Sequence, residues 1–249
     1  MAEKSIFKTL PTKVSRGISI CIYSNPGVGK TTMASTLPEG ETLIINTEAG
    51  IAPLMGTKHV IFNLQEAVIN GGNIETVMND LYKSIRTGEY KFTSVVIDNV
   101  SELSDQLVTH YTKSHKKDFP ELREYGDTSW KFREWVHNWR DLVEMGINVV
   151  FNAWEQDYEI TQTEGTVITR TCPKVGKANV SSMCGLVDIV GHLEVHEKTG
   201  QRWVRIGPSK QWITKSQFKG LDVGEPANFP VIINKVKAYD YSIGGEKNG

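Results

Sequence analysis

Residues 23–32 read Tyr-Ser-Asn-Pro-Gly-Val-Gly-Lys-Thr-Thr, and this stretch decides the fold. It departs at one position from the phosphate-loop pattern G-x-x-x-x-G-K-[ST], because Ser24 stands where the first glycine belongs. The apolar run 18–23 precedes it and a helical pattern, residues 29–37, follows, ending at the breaker 38–40. A strand that turns into a helix is the setting in which such a loop cradles phosphate. Gly27 and Gly29 let backbone N–H groups turn inward, and Lys30 reaches the β- and γ-phosphates. The Thr31 hydroxyl is placed to ligate Mg²⁺. Position 24 only begins the turn, so serine is acceptable there if its φ is negative. Ser24, Asn25, Pro26, Gly27, Val28, Gly29, Lys30, Thr31 and Thr32 are therefore the expected nucleotide contacts.

Further apolar, β-branched runs occur at 42–46, 94–98 and 147–153, with a weaker one at 59–63. Their continuous hydrophobicity, without alternation, predicts a parallel sheet covered on both faces. Helices are expected at 73–85 and 129–145. In the second, Phe132, Trp135, Val136, Trp139, Leu142 and Val143 share one face, a spacing of core packing rather than of a base-stacking platform. After Ala153 the pattern alternates. Segments 157–163 and 166–171 flank Glu164-Gly165 as a hairpin, and 187–195 pairs with 202–206 across residues 197–200. Both ribbons are expected on the same sheet. The fold class is α/β, a mostly parallel sheet flanked by helices with antiparallel hairpins in the last third. Residues 1–220 are expected as one domain, and 221–249 as an extension with a disordered end.

With 249 residues, 39% hydrophobic and 23% charged, the chain suits one large α/β domain. The N-terminus shows no signal-peptide h-region, and no apolar run suits a membrane span, so a cytoplasmic location is expected. Cys21, Cys172 and Cys184 are too few and too scattered for a disulfide framework, and Cys172 and Cys184 stand too far apart to form a finger with His192 and His196. Net charge is −1, yet residues 170–219 carry nine Lys and Arg against three acids. On charge alone that surplus reads as a solvated face.

Two carboxylates complete the chemistry. Asp98 ends the strand 94–98, where it is expected to hold Mg²⁺ through water. Glu48 follows the strand 42–46, and parallel strands bring their C-terminal ends to one side. Glu48 is thus the expected base for the attacking water, with Lys30 and Asp98 as its catalytic partners.

The stretches SICIYSNPGVGKTTMAS (19–35), TLIINTEAG (42–50), YKFTSVVIDNVSEL (90–103), NVVFNAWE (148–155) and GLVDIVGHLEV (185–195) together resemble phage-type RecA-fold nucleotide-binding proteins, over about residues 16–220. Some of that family are single-strand annealing recombinases reduced to the ATPase core. The resemblance implies ATP and Mg²⁺ as cofactors, a homo-oligomer (ring or filament), single-stranded DNA and a single-strand-binding protein as partners, and a host cytoplasm. It also implies a mobile DNA-binding loop after the sensor strand, here the hairpin running on to Lys177. Arg170, Lys174 and Lys177, with Tyr158 as a stacking partner, are its candidates. Lys210 and Lys215 are the candidates for completing a neighbouring subunit's site. Asn46 replaces an aspartate usual in the relatives. Trp154 stands where they place a glutamine or histidine γ-phosphate sensor, with Asn152 nearby. An indole donates once and accepts nothing, so Asn152 or Glu155 must take over the sensing, or coupling to DNA is altered. The competing reading is a nucleotide-gated scaffold that hydrolyses little and recruits a replication or packaging partner.

Overall fold

The computed structural model describes residues 11–48, 50–161 and 167–242. The expected turn at 164–165 and the tail 244–249 lie outside them.

The core is a sheet built around β1 (Ser19–Tyr23), β2 (Thr42–Asn46), β3 (Val60–Asn63), β4 (Ser94–Asp98) and β5 (Asn148–Ala153). β8 (Ile189–Val195) joins β1 on its free side, giving the parallel order β8-β1-β5-β4-β2-β3. Every residue of β1, β2, β4 and β5 is buried, as continuous apolar runs require. β9 (Arg202–Arg205) and then β11 (Gly224–Pro226) extend the sheet antiparallel beyond β8, and β10 (Lys215–Ser216) also pairs with β8.

Helices cover both faces. On one side α3 (Ile74–Arg86), α4 (Val100–Ser114), α5 (Leu122–Asp141) and α6 (Lys177–Leu186) pack Met78, Leu107, Trp135, Trp139 and Met183 against Cys21, Ile45 and Phe151. On the other, α1 (Lys30–Ala34) and α7 (Phe229–Ala238) bury Met33, Phe229 and Ile232 against Ile20, Ile44 and Val150. α2 (Leu64–Gly71) follows β3 directly. The aromatic stripe of α5 is core, as its spacing predicts.

Several expectations are corrected. The ribbon β6 (Glu155–Thr161) and β7 (Val167–Pro173) is a separate two-stranded sheet rather than part of the main one. Its first strand alternates: Asp157, Glu159 and Thr161 face solvent while Tyr158 and Ile160 are half-buried. Such a strand has only one face to bury and cannot enter a sheet covered on both sides. α5 begins at Leu122, seven residues before the expected start at Ser129, because a Glu121/Glu124 capping box starts it ahead of the apolar stripe. α4 and α6, not foreseen, follow a capping Asn99 and an uncapped Gly176. Residues from 221 onward supply β11 and α7 to the same sheet and core.

Candidate functional site

The C-terminal ends of β1, β2, β4 and β5 open on one cleft of about 250 Å³, walled by Gly27, Gly29, Lys30, Thr31, Glu48, Asp98, Trp154 and Arg202, among others. Gly27 (φ 81°) and Gly29 (φ 113°) hold the left-handed backbone that side chains resist. Lys116 is the lone non-glycine residue of positive φ among the described residues, so Ser24 turns the loop without strain. Its amide bonds the Ala153 carbonyl at 3.3 Å. Lys30 is 7% exposed. It donates to the carbonyls of Ser24 and Asn25, each at 3.0 Å, and to Ser24 Oγ at 3.2 Å. Burial lowers its pKa, against the pull of Asp98, Glu48 and Glu155.

Asp98 meets the loop at Thr31. Thr31 Oγ1 donates to Asp98 Oδ2 at 2.7 Å and Asn152 Nδ2 to Oδ1 at 3.1 Å. Burial raises this carboxyl's pKa, with Thr31, Asn152 and Lys30 opposing. A hydroxyl and a carboxylate in contact at the loop are the hard oxygen donors that Mg²⁺ prefers, so the residues fit that ion.

Glu48 is fixed by stitching between β2 and β4. Thr47 N donates to the Asp98 carbonyl at 2.9 Å and Thr47 Oγ1 to that of Asn99 at 2.9 Å, while Gln106 Nε2 holds the Thr47 carbonyl at 2.9 Å. The half-buried Glu48 then lines the cleft beside Asp98. Burial raises its pKa, Asp98 and Glu102 raise it further, and Lys30 lowers it. A carboxylate less acidic than usual, beside a phosphate loop, suits proton abstraction from water.

The sensor candidates divide. Asn152 is fully buried on β5, opposite Asp98 in register, with Oδ1 unpartnered among the described residues. Trp154 lines the cleft itself, with the Lys174 ammonium 5.0 Å from its ring centroid. Glu155, the first residue of β6, takes a hydrogen bond from Asn25 of the loop at 2.6 Å. Its other oxygen meets His192 Nε2 at 2.9 Å. The root of the ribbon is therefore bonded to the phosphate loop, a link with no signature in the sequence motif.

The basic candidates scatter. Arg170 pairs with Tyr158 in the middle of the ribbon and donates to the carbonyls of Ser209 (2.7 Å) and Trp212 (2.6 Å). Tyr158 is half-buried against the core. Lys174 pairs with Asp105 at 3.1 Å, and Lys177 is exposed at the start of α6. Lys215 donates to the carbonyls of Cys184 and Gly185, both at 2.8 Å, at the end of α6, whereas Lys210 is exposed. The three cysteines are buried and free, and no group of His, Cys, Asp and Glu suited to a metal occurs among the described residues. No helix among them is long and apolar enough to cross a membrane.

Arg202 was not foreseen. It starts β9, and because β8 runs parallel to β1, the antiparallel β9 begins at the loop end of the sheet. That placement is invisible until the position of β8 is known.

A family model described as "AAA domain" matches residues 16–218. Among solved structures, the KaiC-like protein PH0186 from the hyperthermophilic archaeon Pyrococcus horikoshii OT3 is 14% identical. The alignment covers 79% of this chain and 86% of that one, with a TM-score of 0.41. No curated protein matches significantly.

Proposed function

The chain belongs to the AAA-domain family, as a P-loop ATPase domain, and we propose that it binds ATP with Mg²⁺, hydrolyses it through Glu48, and couples the nucleotide to single-stranded DNA. The loop amides of Gly27–Thr32 and the Lys30 ammonium bind the phosphate chain. Thr31 and Asp98 would hold Mg²⁺, Asp98 through water, and the ion neutralises phosphate charge when bound. Glu48 orients a water and takes its proton.

The observation that carries the coupling is the Asn25–Glu155 hydrogen bond at 2.6 Å. A loop that closes on phosphate pulls on the first residue of the β6–β7 ribbon. The residue just before that strand, Trp154, accepts at its carbonyl from Lys174 N at 2.8 Å, so the segment from Lys174 to Lys177 follows. Lys177 is exposed there, and Lys174 would exchange its ion pair with Asp105 for a backbone phosphate. The setting is strand annealing in phage recombination, with a single-strand-binding protein as partner and a homo-oligomer as the working form. The exposed Lys210 is the candidate that reaches a neighbouring subunit.

Fluorescence anisotropy with a labelled oligonucleotide tests this. Binding in the presence of ATP is expected to weaken steeply with salt, by a log–log slope of about −0.7 per neutralised phosphate. Because Arg170 is occupied by carbonyls, replacing Lys174 and Lys177 together is expected to flatten the slope by about 1.4 and leave ATP binding intact. A wild-type protein without salt-sensitive binding at low ionic strength defeats the DNA reading. Trp154 favours the second reading in that case, since an indole at the sensor position cannot accept a hydrogen bond. The protein is then a nucleotide-gated scaffold for a replication or packaging partner.

A further inference from the structure

Arg202 reaches the phosphate loop from outside the motif. Its Nε donates to the Val28 carbonyl at 2.7 Å. The side chain lies so close over Gly29 that a Cβ there would stand 2.5 Å from Nε. Glycine at 29 is required by its φ of 113°, and a side chain there would also displace the arginine above it. Arg202 is solvent-exposed and lines the cleft together with Lys30, Thr31 and Asp98. Among the described residues its Nη1 and Nη2 donate to nothing and no carboxylate lies within ion-pair range. A guanidinium anchored by one nitrogen, with the remaining fork open to a phosphate cleft, is arranged to receive phosphate oxygens in bidentate fashion.

We infer that Arg202 is a phosphate-contacting residue of the nucleotide site, supplied by the same subunit from the β8–β9 hairpin. It stands beside Lys30 as the second fixed cation at the phosphate chain. The inference rests on the nucleotide reading above and adds a binding residue to it. The contact also ties the hairpin turn 196–201 to nucleotide occupancy, since Arg202 is the first residue after it.

The two functions of the side chain, bracing Val28 and contacting phosphate, separate by substitution. Arg202→Gln places an amide nitrogen at the chain position of Nε, so the brace survives while the charge and the open fork are removed. Arg202→Lys keeps the charge. Titrations of ATP, ADP and inorganic tripolyphosphate against the full chain, with Mg²⁺, compare the three proteins. Arg202→Gln is expected to bind ATP and tripolyphosphate at least about tenfold more weakly, with Arg202→Lys recovering most of the loss. Unligated thermal midpoints of the variants and the wild type should coincide, because the side chain is exposed. Wild-type binding with an unchanged Arg202→Gln affinity overturns the assignment and leaves Arg202 as a brace alone. A wild-type protein that binds neither ATP nor tripolyphosphate overturns the nucleotide reading, and this inference with it.

Discussion

Glu48→Gln protein is expected to bind ATP as the wild type does and to hydrolyse it at least about 10²-fold more slowly. Glutamine preserves the shape and the position set by Thr47 between Asp98 and Asn99, so the cleft should not rearrange. It removes the one property the step needs, a basic oxygen beside the attacking water. The pH profile separates this role from a structural one. In the proposed role Glu48 works as the carboxylate, so turnover should fall as pH drops through its pKa. Burial, reinforced by Asp98 and Glu102 against the pull of Lys30, moves that acid limb upward. In Glu48→Gln the limb should vanish from the residual rate. Normal hydrolysis by the variant would move the base elsewhere, and Glu155 is then the first residue to test.

The phosphate loop was legible because its chemistry is local. Glycines of positive φ, a lysine and a hydroxyl must follow one another in sequence to surround a phosphate. The buried strands were legible for a similar reason, since residues covered on both faces are apolar without interruption. Asp98 could be placed because it ends such a strand, and Glu48 because it follows one by two residues. What escaped depends on which strands become neighbours. Arg202 meets Val28 across 174 residues, and Glu155 meets Asn25 across 130. Neither contact follows from a spacing. The basic residues 170–219 looked like one surface by count, but charge along a chain does not say where side chains end. Arg170 and Lys215 are held by backbone carbonyls and Lys174 by Asp105, while Lys177, Lys198, Arg202, Lys210 and Lys219 are exposed at separate places along the chain. α6 escaped because Gly176, without a capping side chain, gives no start signal.

Lys30→Met should separate the cost of holding a buried cation from its use. In the unligated protein the ammonium is desolvated, and its lowered pKa means the charged form is less favourable folded than unfolded. For a base with a depressed folded pKa, stability rises as pH climbs through that pKa towards the unfolded value. At neutral pH Lys30 is therefore a liability to the empty protein. Methionine removes that cost but leaves the carbonyls of Ser24 and Asn25 without their donor, an opposing term of similar size. The unligated variant should accordingly match the wild type to within about 1 kcal/mol. With nucleotide the balance changes, because the ammonium is no longer shared among carbonyls but faces phosphate charge. Tenfold weaker binding, at ATP held 100 times above the wild-type dissociation constant, should cut nucleotide-induced stabilisation from about 2.7 to about 1.4 kcal/mol. Turnover should fall further, by roughly 10²–10³-fold, since charge that develops on the transferred phosphoryl group loses its fixed counter-charge. Thermal melts with and without ATP, alongside a phosphate-release assay, read both effects. An ATP-induced shift unchanged in Lys30→Met would mean that phosphate is not bound at this loop, and the catalytic roles given to Glu48 and Asp98 would lose the substrate they are positioned around.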